Sequence, residues 1–259
     1  MQFLTDAQIE AIDQTGRRIL ERIGVKIMDP DLRERLKTAG NTIDPTGDVV
    51  RINGDWLDAQ LARAPSRFTL WGRQRRHDLL MGQGRVYFGN GGRVFQIHDI
   101  TKGRTRPTQL RDVAHTAALV EALEHIRFYI IACQACDLSP DHYHLNDFYQ
   151  AFAHTTKHVM GGVDTLTGMH QMFDLACAIA GGPEKLRRQP FVSVITNAIS
   201  PLVIDAETLR IMDFGARNGI PMAFAPAPIA GATAPASLAG TLSQMHAEAL
   251  AGVALVQFF

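Results

Sequence analysis

The pattern of apolar and polar positions changes character near residue 107. Before it, charged and apolar residues are mixed. Thr5 and Gln8 have the spacing of a capping box ahead of apolar positions at helical period, which predicts a helix over about 6–23 with Gly24 as its stop. A second helix over about 30–39 closes at Gly40, and 53–64 also reads as helical. Short extended runs follow the same logic at Asp48–Ile52, Arg67–Trp71, Arg85–Phe88 and Val94–His98. The expectation for 1–106 is an α+β subdomain with hairpins, Asn90-Gly91 being one hairpin turn.

After residue 107 short apolar runs alternate with amphipathic helical patterns. Strands are expected at Phe128–Ala132, His158–Gly161, Phe191–Thr196 and Pro221–Ala225. Helices are expected from Thr108 to about His125, from Ser139-Pro140, over about 165–180, over Asp205–Asn218 with Gly219 as cap, and from Ala236 to Phe259. Gly181-Gly182-Pro183 breaks the third of these. The fold class is α/β, a TIM-type (β/α) barrel over 107–259 behind the N-terminal subdomain. Only four βα units are visible, where a full barrel has eight in about 250 residues. With an apolar end at Val256-Gln257-Phe258-Phe259, the chain reads as a barrel truncated to about its first half. The unfinished edge would suit a partner or a second copy, a homo-oligomer. An open doubly wound sheet would instead need a glycine fingerprint after its first strand, where Cys133-Gln134-Ala135-Cys136 stands.

In parallel barrels the loops after strand C-termini build the site. Here they are Gly161-Gly162-Val163-Asp164, Asn197 to Ser200-Pro201, and the small, nearly chargeless run Pro226 to Pro235. Gly162, Asn197, Ser200, Pro226, Gly231 and Thr233 are therefore candidate substrate-binding residues. Gly231 permits close backbone approach, and Thr233 is expected to N-cap the last helix with Pro235 in its first turn. Backbone N–H groups at that helix start would suit an anion or compact ligand. Tyr87, Phe88, Asn90 and Gly91 form a further candidate, aromatics beside a glycine-rich turn that could wall a pocket for an alkylammonium ion.

Charge narrows the partners. Lys+Arg and Asp+Glu both number 26, so nothing recommends nucleic acid or an acidic membrane. Arg73, Arg75 and Arg76 read as a solvated turn. No apolar run approaches the ~20 residues of a membrane span, and Met1 to Asp6 lacks a signal-peptide pattern. Three cysteines, Cys133, Cys136 and Cys177, fit a reducing cytoplasm. Cys133 and Cys136 with His142 and His144 invite a zinc reading, but the spacing is wrong for a finger, and packing is favoured, with no metal site expected. His154 and His158 read as capping and packing residues. Neither His-Glu-x-x-His, Gly-x-Ser-x-Gly nor a P-loop occurs.

Several stretches in order resemble the trimethylamine methyltransferase family of corrinoid-dependent enzymes. They are Ala64-Pro-Ser-Arg-Phe-Thr-Leu-Trp-Gly-Arg73, Tyr87-Phe-Gly-Asn-Gly91, Asp99-x-x-x-Gly103-x-x-Arg106, Thr156-Lys-His158, Ser200-Pro-Leu202, Gly231-Ala-Thr-Ala-Pro235 and His246-Ala-Glu-Ala-Leu-Ala-Gly252. The resemblance implies a TIM barrel that moves a methyl group from trimethylamine, or from a quaternary amine such as a betaine, to the cobalt of a separate corrinoid protein. The corrinoid (cobalamin) would come with that partner, and no cofactor would be bound directly. Asn197, Thr233 or the N–H groups near Gly231 would hold a betaine carboxylate. The alternative is a catalytically incomplete fragment or paralogue acting as a binding or assembly protein.

Overall fold

A computed structural model describes residues 3–139 and 141–259. The expected Ser139-Pro140 helix start and the Met1-Gln2 end of the signal-peptide reading fall partly outside the described residues. Helix α1 (Asp6–Arg22) opens under the expected capping box, with Gln8 N donating to Thr5 Oγ1 at 3.3 Å and Thr5 N to Gln8 Oε1 at 2.8 Å. Strand β1 (Val25–Ile27) leads to α2 (Pro30–Thr38), capped by Asp29, and to the antiparallel pair β2 (Thr42–Ile43) and β3 (Val49–Arg51). Helix α3 (Gly54–Leu61) starts on Asn53, whose side chain accepts from Trp56 N.

Next, β4 (Phe68–Leu70) pairs antiparallel with β5 (Leu79–Met81) around a 3₁₀ turn at Arg75–His77. Strand β6 (Phe88–Gly89) precedes the hairpin of β7 (Gln96–Asp99) and β8 (Arg104–Pro107). The alternating region then runs through α4 (Leu110–Ala122), β9 (Ile126–Ile130), α5 (Tyr143–His154), β10 (His158–Gly162), α6 (Leu166–Ala180), α7 (Pro183–Arg188), β11 (Val192–Thr196), β12 (Val203–Ile204), α8 (Ala206–Asn218), β13 (Met222–Phe224) and α9 (Leu238–Phe258).

Five strands form one sheet in the order β13-β11-β10-β9-β6. Pairs β6–β9, β9–β10 and β10–β11 are parallel, with Phe88 opposite Ile126, His158 opposite Phe128 and Val159 opposite Val192. Val194 N donates to Pro221 O and Ala225 N to Thr196 O, so β13 runs the same way as β11. This mixed α/β architecture, with its parallel sheet of five, is compatible with part of a TIM-type barrel. One expectation is corrected. Arg85–Phe88 does not enter a hairpin at Asn90-Gly91, because Asn90 turns its side-chain amide onto β9 and delivers β6 to the parallel sheet. Gly161 shows how tightly this sheet packs on its helices, since a Cβ there would lie 2.5 Å from the Phe148 ring.

By contacts the chain forms two compact units, one of Met1–Pro65, Thr196–Asp213 and Phe224–Phe259, the other of Ser66–Ile195 and Phe214–Ala223. They are contact units, and the division at 106/107 remains an expectation about domains. The second unit holds most of the parallel sheet, and Tyr129, Phe148, Val159, Met169, Met172 and Val194 fill its core. The first unit holds a four-stranded sheet, order β12-β1-β3-β2, with α1 and α3 against α9. Strands β1, β2 and β12 are two or three residues long, too short for a period-2 pattern to stand out, which is why the sequence pattern does not predict them. Helix α9 begins two residues later than expected, and its N-cap is Ser237, which accepts from Gly240 N. Thr233 is not that cap.

Candidate functional site

Within the second unit, side chains converge where the parallel strands end. Arg93 follows β6, Gln134 follows β9, Asp164 follows β10, and Tyr143, His144 and Asp147 stand on the first turns of α5. Arg93 grips Asp164 with both arms of its fork, Nη1 to Oδ1 at 3.1 Å and Nη2 to Oδ2 at 3.0 Å. Its Nη2 also donates to Gln134 Oε1, and its guanidinium lies 5.1 Å over the Tyr143 ring. The Tyr143 hydroxyl donates to Asp164 Oδ2. The Asp164 side chain nevertheless stays 56% exposed, so a ligand can reach it.

Electrostatics sorts these groups. Burial alone would raise the Asp164 carboxyl, but bonds from Arg93 and Tyr143 more than offset it and hold it below the usual range. Burial and the bond to Asp164 push the Tyr143 phenol up to about 12. Burial pushes the His144 imidazole down to about 4, so the ring is neutral at pH 7. Its Nε2 accepts from Asp164 N at 3.2 Å, which places the ring proton on Nδ1. Burial raises the Asp147 carboxyl to about 7, against one weak bond from Ala135 N at 3.4 Å. Cys133 is pushed up by burial to about 12 and stays a thiol.

The expected site residues fall in both units. In the second, Gly162 lies beside the cluster, and a Cβ there would be 3.7 Å from Arg93 Nη1. Phe88 is 68% exposed, and the Tyr87 hydroxyl donates to Leu80 O at 3.2 Å. Asn90 donates to Ile130 O at 2.7 Å and accepts from Ile130 N at 2.9 Å, so its amide positions β9. Gly91 opens onto free space.

In the first unit, Ser200 and Thr233 meet one network. The buried Glu248 of α9 accepts from Ser200 Oγ at 2.8 Å, Leu202 N at 2.9 Å and Gln244 Nε2 at 3.0 Å. Gln244 Nε2 also donates to Thr233 O at 2.9 Å. Asn197 follows β11 directly and is exposed. The loop Pro226 to Pro235 does not offer the expected N–H cradle. Gly231 N donates to Ala234 O, while Ala232, Thr233 and Ala234 N all donate to Ile229 O, so the loop spends these donors on itself. Thr233 Oγ1 in turn accepts from Ile229 N at 2.8 Å.

At the other ends of the second unit's strands, polar residues bind backbone. His158 Nδ1 donates to Trp71 O at 2.9 Å and its Nε2 accepts from Ser193 Oγ at 2.8 Å, and burial pushes its imidazole down to about 4. Lys157 Nζ donates to the carbonyls of Val120, Leu123 and Ile126 at 2.6, 2.7 and 2.6 Å, closing the end of α4. Arg73 donates through Nη2 to Phe152 O and Thr155 O, so it is an anchor rather than part of a solvated turn. Cys136 lies against Thr108 Oγ1 at 3.4 Å, and among the described residues no group of three His, Cys, Asp or Glu could hold a metal ion. Zinc chemistry on Cys133, Cys136 and the nearby histidines finds no support in this geometry.

Arg93, Tyr143 and Asp147 were not among the expected site residues. Asp164 stood in a recognised strand-end loop, and Arg93 sits two residues past Gly91, so strand-end position was the available signal.

A family model described as Trimethylamine methyltransferase (MTTB) matches residues 1–259. The chain is 30% identical over 253 residues to "Trimethylamine methyltransferase MttB" of Desulfitobacterium hafniense (strain DSM 10664 / DCB-2), covering 98% of this chain and 51% of that protein. It is 29% identical over 265 residues to the protein of the same name from Methanosarcina thermophila, covering 99% and 54%. It is 28% identical over 256 residues to "Glycine betaine methyltransferase" of Desulfitobacterium hafniense (strain Y51), covering 98% and 53%. The chain spans about half the length of the curated relatives it matches.

Proposed function

The chain belongs to the trimethylamine methyltransferase family, and from that premise we propose that it binds a methylated amine and presents one N-methyl group to the cobalt of a corrinoid protein. Family membership supports the methyltransferase class. The amine, the corrinoid partner and a cytoplasmic setting, which suits three free thiols, are our reading.

The observation that carries the chemistry is the state of the ionisable groups at the strand ends. Arg93 and Asp164 are paired, Tyr143 and His144 are neutral at pH 7, and only Asp147 titrates near there. Asp147 is buried, and the paired or neutral groups around it are suited to holding charge rather than moving protons. A quaternary ammonium needs no proton when it loses a methyl group, because the electron pair of the broken C–N bond stays on nitrogen. The corrinoid would supply the nucleophile from its partner protein. This chain's part is to orient the cation and exclude water. The exposed carboxylate of Asp164 is the attractive group, and Tyr143, buried beneath Arg93, holds it in place through its hydroxyl. Gly91 and Gly162 complete that rim in the proposal, whereas Phe88, opposite Ile126 at the start of β9, stands at the other end of the strands; Asn197, Ser200, Pro226, Gly231 and Thr233 remain candidates on the first unit.

Calorimetry with glycine betaine and its isostere 3,3-dimethylbutyrate, in which a neutral tert-butyl group replaces the trimethylammonium, tests this. The expected result is saturable betaine binding, with the analogue about tenfold weaker or worse. Equal affinity for both, or no betaine binding, would overturn the proposal.

A further inference from the structure

The second unit contains a cavity of about 570 Å³ at the end of its sheet away from Arg93 and Asp164. Its place follows from connectivity. Helix α6 runs back against the strands, so its last residues, Ile179 and Ala180, arrive where β11 starts, beside Phe191. Gly181 and Gly182, with φ of +81° and +125°, then turn the chain sharply into α7. That turn brings Lys185 back over the break, its Nζ being 3.1 Å from where a Gly181 Cβ would stand. Arg73 enters from the β4–β5 connection.

The lining is unbalanced in charge. Arg73, Lys185 and Arg188 contribute three cations, and no carboxylate lines the cavity. Glu184, the acidic residue of α7, is exposed outside it. Among the described residues, neither Lys185 nor Arg188 has a hydrogen-bond or ion-pair partner for its side chain. Arg73 is pinned in place by the carbonyls of Phe152 and Thr155 and by its own N–H to Thr156 O at 2.8 Å. One fixed and two unpartnered cations around a concave wall favour an anion between them. Phe191 and Ile179 add an apolar flank, and Gln189 a neutral hydrogen-bonding group.

We propose that this cavity is a binding site for a phosphate group carried by a small organic molecule. The tetrahedral dianion meets the Arg73 fork and the two unpartnered cations, and its organic part lies on Phe191 and Ile179. The site is independent of the amine reading, since no residue is shared between them.

Titration calorimetry of the 259-residue chain with inorganic phosphate and with phenyl phosphate, at ionic strength on the order of 0.02 M, separates the sources. Saturable binding is expected for phenyl phosphate, tighter than for phosphate alone. The double variant Lys185→Gln/Arg188→Gln removes two exposed side chains that hold no other element, and should weaken it about tenfold or more. The control Lys102→Gln/Arg104→Gln lowers the net charge equally elsewhere and should leave affinity unchanged. Absence of saturable binding, or equal loss in both double variants, would overturn the proposal. Phosphate binding as tightly as phenyl phosphate would remove the organic part of it.

Discussion

His158 and His144 sit at opposite ends of neighbouring segments, and both are buried and neutral at pH 7. Their partners differ. At the strand starts, His158, Lys157 and Arg73 spend their polar atoms largely on backbone carbonyls, at Trp71, Val120, Leu123, Ile126 and Thr155. At the strand ends, Arg93, Tyr143 and Asp164 bond chiefly to one another. Bonds to backbone hold helices and strands together. Bonds between side chains at a rim leave groups that a ligand can rearrange. The difference teaches that residue type alone does not mark the amine site, and that partner type separates its rim from the groups that fasten the strand starts.

The largest expected effect tests the starting rim. Lys157→Met strands three carbonyls and should cost roughly 3–5 kcal/mol, read from denaturant unfolding. A loss below about 1 kcal/mol would show that water replaces the ammonium there.

Next comes pH. The His158 imidazole falls from its ordinary value of 6.5 to about 4 on folding, so between those values the unfolded chain binds more protons. Its contribution is whole above pH 6.5 and fades as pH falls toward 4, by about 3 kcal/mol in all. His158→Asn should flatten that slope while lowering stability at pH 7. An unchanged slope would mean that other groups set it.

Asp147 has the opposite sign. Its carboxyl rises from its ordinary value of 3.8 to about 7, so the folded chain binds more protons between them and stability declines as pH rises through that window. Asp147→Asn keeps an acceptor for Ala135 N and should be more stable than the parent at pH 8, by about 2 kcal/mol. No gain at pH 8 would place the carboxyl in water.

The smallest stability effect belongs to Asp164→Asn, under about 1 kcal/mol because the side chain is half exposed, together with a loss of betaine affinity. A large loss of stability with unchanged affinity would make Asp164 part of the scaffold.

Much of this architecture was legible beforehand, and for identifiable reasons. The capping box at Thr5 and Gln8, the break at Gly181-Gly182-Pro183 and the strands at 158–161 and 191–196 are local signals, and each appears within a residue or two. What escaped depends on long-range partners. Strand β6 has two residues and is recruited by β9, while Thr233 turned to Ile229 and left Ser237 to cap α9. Arg93 and Asp164 stand 71 positions apart, and nothing local to either predicts the fork between them. Glu248 lay inside a stretch noted only for resemblance, because its three donors come from Ser200, Leu202 and Gln244.

The most direct test of the amine site uses the chain's four tyrosines, Tyr87, Tyr129, Tyr143 and Tyr149. With ¹³C-labelled tyrosine and Tyr143→Phe for assignment, titration with glycine betaine is followed by NMR. A saturable shift of the Tyr143 ring, while buried Tyr129 and helix-borne Tyr149 stay fixed, is the predicted result. Saturable binding that leaves the Tyr143 resonance unmoved would contradict the placement of the amine at this rim.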